Sequence, residues 1–458
     1  MTTAGSRRTF TEVATIYAII AAIGGFLFGY DTAVISGAIG FIRQLFGLEP
    51  AMEGWVVSSL IVGATLGAAV SGFLSDRFGR KRMLILSALL FIVGAIASAI
   101  PSTVAELIVA RMIAGVGVGM ASTLSPLYIA EIAPARNRGR LVSIYQFAVV
   151  TGIFVTYFIN AAIVRFGDEA WEINYSWRWM LGFGVVPGLL YLLLLLRIPE
   201  TPRWLMKQKQ EVAALEVLER MNGREAAKSE LHEIVNLKEG KEASVTELLR
   251  PGLRLALIIG VVLAVLQQIT GINAIMYYAP DIFKQAGTGT NAALLQTVLV
   301  GIVNFVFTLV ALWLIDKVGR KPLLVVGAIL MAISLAVVGY AFQAENVSGM
   351  LILFFILLYV ASFAVSFGPV VWVMISELFP TRIRGRATAI ASFSLWFADF
   401  IVAQTFPILI HRRTGIGPAA TFWVFAVIAV VAVIFSAAVV PETKGKSLED
   451  IEKMWVRK

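Results

Sequence analysis

Cysteine is absent from this chain of 458 residues, and histidine occurs only twice, at His232 and His411. Without cysteine there can be no disulfide bond, no thiolate metal site and no cysteine nucleophile. His232 lies in a charged loop and His411 ends an apolar segment, so neither is placed for a metal site or a catalytic triad. We therefore expect no bound metal, no cofactor and no enzymatic activity.

Charged residues are also scarce. They make up 15% of the chain against 59% hydrophobic residues, and the mean hydropathy is +0.84. Soluble domains are about a quarter charged, and a soluble protein of this composition would expose more apolar surface than it could bury. The net charge of +9 lies in short clusters between apolar stretches, which argues against a nucleic-acid partner and favours loops of a membrane protein.

Twelve apolar segments are each long enough to cross a lipid bilayer, which takes about 20 residues of α-helix. The alternation typical of membrane β-barrels is absent, so helices must satisfy the backbone. The segments are 13–42, 54–75, 83–101, 103–130, 140–165, 177–197, 255–282, 292–315, 322–343, 348–376, 386–411 and 416–440. The sequence predicts an all-α membrane protein with twelve transmembrane helices in two halves of six.

A polar stretch between the halves sets the predicted domain organisation. It mixes Glu, Lys and Arg with spaced Leu, Val and Ile, which is typical of short amphipathic helices. We predict an N-terminal six-helix bundle, a cytoplasmic linker, a C-terminal six-helix bundle and a cytoplasmic tail: 1–198, 199–254, 255–440 and 441–458.

Lysine and arginine predict the orientation of the chain. The loops after segments 2, 4, 8 and 10 are rich in them and the opposite loops are poorer, with Arg412 and Arg413 as the exception. Basic loops stay in the cytoplasm, so both termini are expected there. We predict a multi-pass protein of the cell (inner) membrane.

Three motifs occur once in each half, in the same order. The pairs are 76–81 with 316–321, 131–140 with 377–386, and 199–202 with 441–444. Their offsets of 240, 246 and 242 residues indicate that one six-helix unit has been duplicated. Parallel repeats of this kind build transporters whose substrate site lies between the halves, near the middle of the membrane.

These motifs lie at the predicted cytoplasmic helix ends, where their acids and bases can pair across helices and halves. Such pairs could form and break as the halves move, which would make them a cytoplasmic latch. Alternatively, the charges only set topology, although duplication in matching order favours the latch. The candidate residues are Arg80, Glu131, Arg138, Glu200, Arg203, Arg320, Glu377 and Arg384.

The motifs together resemble those of the sugar porter family of the major facilitator superfamily. They include Gly-Phe-Leu-Phe-Gly-Tyr-Asp at 25–31, Asp-Arg-Phe-Gly-Arg-Lys at 76–81, Pro-Glu-Thr-Pro-Arg-Trp at 199–204, Gln-Gln-Ile-Thr-Gly-Ile-Asn at 267–273 and Pro-Glu-Thr-Lys-Gly at 441–445. The resemblance covers essentially the whole chain and is closest to bacterial sugar–proton symporters of the xylose type. It implies the major facilitator fold, alternating access and a small polyhydroxylated substrate, in a fold that can work as a monomer.

Three ionisable side chains lie well inside the predicted segments: Asp31, Arg111 and Asp399. A charge in hydrocarbon costs a few kcal/mol, about 2.5–3.5 on insertion scales, so each needs a partner or a water-filled cavity. Segment 1 runs outward and segment 4 inward, which puts Asp31 and Arg111 at about the same depth. An arginine beside Asp31 favours the carboxylate, whereas separation or drying favours protonation. A conformational cycle that changes their separation would therefore couple protons to solute.

The resemblance gives the same two residues a role. The position of Asp31 is that of the proton-coupling aspartate of symporters, for which facilitators often have a neutral residue, and Arg111 matches its partner. The alternative is a static ion pair that holds segments 1 and 4 together. Asp399 departs from the family, which usually has an amide there, and Leu395 replaces another polar group. Asp399 could bind a substrate hydroxyl, take part in proton movement, or hydrogen-bond a neighbouring helix while neutral.

A sugar site needs amides, which both donate and accept hydrogen bonds, and aromatic faces that exclude water. The apolar segments supply eight such residues: Gln146, Gln267, Gln268, Asn273, Tyr277, Asn304, Trp372 and Trp396. Steps of three, three and four through Thr270 place Gln267, Asn273 and Tyr277 on one helix face, which favours a cavity lining over interhelical hydrogen bonding. By resemblance, all except Tyr277 and Trp396 match sugar-binding positions, while Tyr277 and Tyr278 match an extracellular gate.

Glycines in two segments indicate packing and bending. Gly115, Gly117 and Gly119 lie inside an apolar helix with no preceding strand, so they predict close helix contact and not a nucleotide loop. Gly368 and Pro369 can break segment 10, in a region that bends in sugar porters.

The sequence thus predicts a secondary active transporter that moves a monosaccharide or polyol together with protons by alternating access. The alternative is a passive facilitator of the same fold. A membrane enzyme is not favoured, because the sequence offers no catalytic constellation. A transporter-like sensor is not favoured either, because such sensors usually have a long soluble extension, of which this sequence shows none. The expected partners are the solute, protons and the lipid bilayer, and we expect a monomer.

Overall fold

The computed structural model of the chain describes residues 4–134, 137–236, 251–344, 348–379 and 383–445. Over these residues the regular structure is helical throughout. The α-helices are α1 (Ala4–Phe46), α2 (Pro50–Phe78), α3 (Arg80–Ala99), α4 (Val104–Ile132), α5 (Arg138–Ile163), α6 (Glu169–Trp171), α7 (Trp177–Gly182), α8 (Val185–Leu195), α9 (Pro202–Lys207), α10 (Glu211–Asn222), α11 (Arg224–Asn236), α12 (Pro251–Ile269), α13 (Ile272–Gln285), α14 (Thr290–Val318), α15 (Arg320–Gln343), α16 (Gly349–Val365), α17 (Phe367–Glu377), α18 (Arg384–Ile410) and α19 (Gly417–Ala438).

Twelve helical spans in the described residues are long and apolar enough to cross a membrane, which confirms the predicted number. They are Glu12–Phe46, Pro50–Phe78, Arg80–Ala99, Val104–Ile132, Gly139–Phe166, Glu169–Leu195, Leu253–Gln285, Thr290–Val318, Arg320–Gln343, Gly349–Glu377, Gly385–Ile410 and Gly417–Ala438. The main difference is in the sixth span, which begins eight residues before the predicted residue 177. Its first turns carry Glu169, Glu172 and Asn174, so hydropathy does not reveal them.

Three short helices, α9, α10 and α11, lie within the predicted linker, while residues 237–250 lie outside the described part. The indole N–H of Trp204 on α9 donates to the carbonyl of Asp76, 3.0 Å away near the end of α2. Lys207 also lies 3.3 Å from the Asp76 carboxylate. These contacts hold the start of the linker against the first bundle.

Contacts divide the chain into two compact units, each taken over its described residues. The first covers Met1–Ala38, Ser59–Thr156 and Glu169–Gly240, and the second covers Ile39–Ser58, Tyr157–Asp168 and Lys241–Lys458. Residues 39–58 and 157–168 precede the linker in sequence, yet their contacts group them with the later helices. The predicted domain boundaries, which follow the repeat, therefore stay a prediction.

The duplicated motif at 76–81 and 316–321 has the same backbone in both units. Its glycines, Gly79 and Gly319, join consecutive spans with φ of 102° and 105°, a region that favours glycine. A Cβ at Gly79 would also collide with the carboxylate of Glu200, and one at Gly319 with that of Glu442. In each unit, glycine is needed both for the turn and for the approach of an acid.

The glycines of α4 allow close helix packing, as predicted. A Cβ at Gly115 or Gly119 would collide with backbone carbonyls of α2, at Leu60 and Ala64 respectively. A Cβ at Gly117 would collide with α3, at the carbonyl of Ser87. Small residues that let backbones approach this closely are a main source of helix association in lipid.

Gly119→Ala is expected to lower the thermal stability of the purified protein, because the new methyl group must displace α2. Overpacking of this kind costs about 1–3 kcal/mol. Gly72→Ala is the matched control, since a Cβ at Gly72 in α2 would meet nothing within 4 Å. A detergent melting curve of each variant tests this, and equal melting temperatures for Gly119→Ala and the unchanged protein would contradict the packing described here.

Candidate functional site

Asp31 and Arg111, which the sequence places at the same depth, lie together in the first unit. The guanidinium Nη1 of Arg111 is 3.9 Å from Oδ1 of Asp31. Both side chains are buried, with Asp31 6% and Arg111 1% exposed. Oδ2 of Asp31 has no hydrogen-bond partner among the described residues. The pair is therefore an ion pair without close hydrogen bonding, in surroundings where a charge is costly.

Glycines on α1 bring neighbouring helices up to this pair. Gly25 packs against Tyr145 of α5, and a Cβ at Gly29 would collide with the carbonyl of Val149 one turn later on α5. Gly24 packs in the same way against Ser125 of α4. Because α1 lacks side chains at these positions, α4 and α5 pack closely against the stretch of α1 that precedes the buried Asp31.

In the second unit, three predicted amides form a continuous hydrogen-bonded chain. The side-chain N–H of Asn273 donates to Oε1 of Gln268 at 2.8 Å, and Gln268 donates to Oε1 of Gln267 at 3.3 Å. Gln267 in turn donates to the carbonyls of Phe367 and Gly368, at 2.7 and 3.1 Å. An amide side chain can donate one hydrogen bond and accept another at the same time. The three residues therefore form a chain in which each amide donates to the next.

The predicted single helix face from residue 267 to residue 277 is wrong, because the seventh span is broken. α12 ends at Ile269, and α13 starts after Gly271, which has φ of 95°. Helical spacing therefore does not apply across Gly271. The break itself brings Asn273 of α13 back to Gln268 of α12.

The tenth span is broken as well, but two residues before the predicted Gly368 and Pro369. α16 ends at Val365 and α17 starts at Phe367, with φ of −117° and ψ of −92° at Ser366. Pro369 lies in the first turn of α17. N–H groups there have no partner within the helix, so the N–H that proline lacks costs no hydrogen bond. The Tyr359 hydroxyl donates to the carbonyl of Thr270 at 3.0 Å, and Gln267 satisfies the carbonyl of Phe367, so each break is held by a side chain from the other span.

The two predicted gate tyrosines both contact α18. The Tyr277 hydroxyl donates to Oδ2 of Asp399 at 3.1 Å, and the Tyr278 hydroxyl donates to the carbonyl of Ala403 at 2.9 Å. Both tyrosines are buried, as is Asp399, which is 2% exposed. Tyr278 also has non-helical backbone angles within α13, near Pro280, so α13 is kinked at the predicted gate.

The remaining predicted solute residues are divided between the units. Asn304 on α14 is buried, Trp396 on α18 is half-buried and Trp372 on α17 is 41% exposed, all in the second unit. Gln146 on α5 is half-buried in the first unit. Their part in solute binding stays a prediction.

The first copy of the predicted latch forms a compact ion cluster. Arg80 donates to Glu131 through Nε and Nη2, each at 3.1 Å, and the Thr201 hydroxyl donates to the same carboxylate at 2.6 Å. Glu200 accepts the backbone N–H groups of Arg80 and Lys81, each at 3.0 Å. Burial raises the pKa of Glu200 above its usual value, and these backbone donors oppose the shift.

The second copy repeats the arrangement in the second unit. Nη2 of Arg320 donates to Glu377 at 2.9 Å, and the Thr443 hydroxyl donates to Glu377 at 2.6 Å. Glu442 accepts the backbone N–H groups of Arg320 and Lys321, at 3.1 and 3.0 Å. Burial would raise the pKa of Glu442, but the backbone donors outweigh it and hold the pKa below its usual value.

Three latch predictions are not part of these clusters as described. Arg203 is exposed on α9. The side chains of Arg138 and Arg384 lie outside the described part of the structure, although the helices that contain them are described. The two clusters therefore rest on Arg80 and Arg320, each with its acids.

An ion cluster that the sequence did not predict lies at the other, predicted outer, helix ends. Arg43 of α1 donates to Glu53 of α2 at 3.0 Å, and Nη2 of Arg43 donates to Asp281 of α13 at 3.0 Å. The acids are largely buried, with side chains 6% and 12% exposed. The three line a cavity of about 290 Å³ together with Tyr278, Phe406 and His411, among others. In a sequence, charged residues near helix ends are usually interpreted as signals of topology. The one sequence feature that indicates this cluster is that one basic and two acidic residues lie near three predicted outer helix ends.

Arg43→Ala is expected to loosen the predicted outer helix ends, because it leaves two acids without their shared cation. The chain has no cysteine, so Gly40→Cys, next to Asp281, provides a single label site. We expect a membrane-impermeant maleimide to label that thiol faster in Arg43→Ala. We also expect the free energy of unfolding to fall by about 1–3 kcal/mol, which is less than for a fully buried ion pair because Arg43 is partly exposed. Arg165→Ala, at an exposed arginine, is the control. An unchanged labelling rate in Arg43→Ala would show that the cluster does not hold these ends.

Comparison with known proteins assigns the chain. The family described as "Sugar (and other) transporter" matches residues 17–455. The chain belongs to this family. The arabinose-proton symporter of Bacillus subtilis is 49% identical over 438 residues, covering 95% of this chain and 94% of that protein. The D-xylose-proton symporter of Escherichia coli is 40% identical over 470 residues, covering 95% and 94%. The predicted family is therefore confirmed, and the protein is a transporter.

Solved structures agree with this membership. The inward-open structure of the xylose transporter XylE from E. coli matches with a TM-score of 0.83 at 39% identity, covering 96% of this chain and 99% of that chain. The structure of the proton:xylose symporter XylE of the major facilitator superfamily, bound to 6-bromo-6-deoxy-D-glucose, matches with a TM-score of 0.77. This family member thus has the predicted major facilitator fold, with twelve spans in a membrane.

Proposed function

We propose that this protein is a proton-coupled symporter of a monosaccharide or polyol that works by alternating access. The buried ion pair of Asp31 and Arg111 is the observation that carries the proposal, since an ionisable pair inside a membrane span is costly and has a function by default. Membership of the sugar transporter family supports the solute class. The names of the two relatives put the aldopentoses arabinose and xylose first among candidate substrates.

Asp31 is the coupling acid in this mechanism. When Arg111 stays close, its positive charge favours the carboxylate and the proton leaves. When the pair separates in a dry site, the carboxylate is costly and Asp31 takes a proton. The observed distance of 3.9 Å without direct hydrogen bonds fits a pair that can separate. If the sugar binds best to the form with protonated Asp31, then the bound proton favours sugar binding and the bound sugar favours proton binding, as linkage requires.

The solute site includes the amide chain of Gln267, Gln268 and Asn273 together with Tyr277. Sugar hydroxyls can replace bonds within this chain, because each amide both donates and accepts. Gln267 of this chain holds the break in the tenth span, and the bond from Asn273 to Gln268 bridges the break in the seventh. Sugar binding would therefore act on the segments that bend. Asn304, Trp372 and Trp396 of the second unit complete this part of the proposed site, and Gln146 is the candidate solute residue of the first unit.

The proposed gates lie at opposite ends of the spans. Tyr277 and Tyr278 of α13 close the outer side against α18. The Arg80–Glu131 and Arg320–Glu377 clusters form a latch on the cytoplasmic side, where we also place both termini. The protein works as a monomer in the cell (inner) membrane.

Uptake into proteoliposomes tests this function. The purified protein is given a panel of pentoses, hexoses and inositols, with and without an inward proton gradient. A symporter concentrates one or a few of these only when the gradient is present, and a protonophore abolishes the accumulation. A passive facilitator equilibrates the same solute without concentrating it, and a protein of another function moves none of them.

A further inference from the structure

Asp399 differs from Asp31 in having no basic partner. Among the described residues, no arginine, lysine or histidine lies within ion-pair distance of its carboxyl group, whereas Arg111 lies 3.9 Å from Asp31. Asp399 is nevertheless 2% exposed, on α18 inside a membrane span. The mechanism proposed above leaves it without a task.

The hydrogen bonds around Asp399 do not suit an anion. A carboxylate accepts about four hydrogen bonds and donates none. Here Oδ2 accepts one, from the Tyr277 hydroxyl at 3.1 Å, and the Asn273 amide is the other donor near the carboxyl group. Oδ1 has no partner within hydrogen-bond distance in the described part of the chain. An anion buried beside two neutral donors and no cation has a desolvation cost that its surroundings do not offset, so such a group takes up a proton instead.

We infer that Asp399 is a neutral carboxylic acid that orients Tyr277 through Oδ2 and presents Oδ1 as a hydrogen-bonding group to the sugar. The inference rests on the proposed sugar site. In the neutral acid one oxygen accepts from Tyr277 and the other carries the proton, which it can donate to a sugar oxygen. Asp399 thus selects the substrate and takes no part in moving the coupled proton. Asp31 remains the residue that takes up and releases that proton.

Asparagine is the discriminating replacement at this position, because it has nearly the same shape and also offers one acceptor and one donor. We expect Asp399→Asn to keep the ratio of protons to sugar and to raise the apparent KM only about threefold. Asp399→Leu, which cannot hydrogen-bond, should raise KM by at least about tenfold at the same ratio. A lower proton-to-sugar ratio in Asp399→Asn would overturn the inference and make Asp399 a second coupling acid.

An infrared difference spectrum tests the protonation state without transport. When the spectrum of Asp399→Asn is subtracted from that of the unchanged protein at neutral pH, the carbonyl stretch of one protonated carboxylic acid should remain. If that band is missing from the difference spectrum, Asp399 is ionised and the inference fails even where uptake is normal. If the unchanged protein accumulates no sugar, the proposed function fails, and the spectrum still decides the state of Asp399. Folding of Asp399→Leu is checked by its melting curve, and the asparagine variant keeps the test valid if leucine is not tolerated.

Discussion

Asp31→Asn is expected to abolish accumulation of sugar against a gradient while exchange of sugar across the membrane remains detectable. Asparagine keeps the shape of the side chain but cannot take up or release a proton, so the solute loses its link to the proton gradient. One pH unit supplies about 1.4 kcal/mol per proton, which is about a tenfold concentration ratio. We therefore expect that ratio to fall from about tenfold to about one in the variant.

Two measurements on the same proteoliposomes check this expectation. Uptake driven by a pH gradient reports accumulation, and counterflow with preloaded sugar reports exchange without net proton movement. Glu49→Gln is the matched control, because Glu49 is an exposed carboxylate in the loop between α1 and α2. Accumulation that survives in Asp31→Asn would leave the pair with Arg111 as a static contact between α1 and α4.

Gln268→Leu is expected to raise the apparent KM for sugar by about 10- to 100-fold. Gln268 is the middle of the amide chain, so its loss leaves Asn273 without its acceptor and Gln267 without a donor. Losing the bonds that Gln268 makes to the sugar, together with the alignment of Asn273 and Gln267, is expected to weaken sugar binding by about 1–3 kcal/mol. Leucine has a similar volume, so the effect reports hydrogen bonding and not a cavity.

The test of Gln268→Leu is a set of initial uptake rates over a range of sugar concentrations. Thr405→Val is the control for removing a polar group from a span, since the hydroxyl of the half-buried Thr405 donates only to Ile401 of its own helix, at 2.7 Å. A KM within twofold of the unchanged protein would remove the amide chain from the proposed solute site.

The number of spans and the ion pair could be predicted because both depend on local sequence and simple geometry. Each apolar segment shows a helix that lipid requires, whatever its neighbours are. The equal depth of Asp31 and Arg111 follows from their distances to the ends of two helices that run in opposite directions. The duplicated clusters at Arg80 and Arg320 followed from a repeat that is visible in the sequence.

The helix breaks could not be located in the same way. Gly271 and Ser366 interrupt helices because Gln267 and Tyr359 provide hydrogen bonds from another span, and that partnership is not visible along the chain. The cluster of Arg43 with two acids depends likewise on three helix ends that are far apart in sequence. The helix breaks and the Arg43 cluster could not be predicted, because both depend on polar groups that pair over long distances in sequence.

Sugar-induced proton movement tests proton coupling itself. Proteoliposomes with no imposed pH gradient and a clamped membrane potential receive the sugar that the uptake panel selects, while a dye reports the external pH. The proposed mechanism predicts that the external medium becomes more alkaline when sugar is added, and that Asp31→Asn removes this response. Entry of the same sugar at the same rate with no change in external pH would contradict proton-coupled symport.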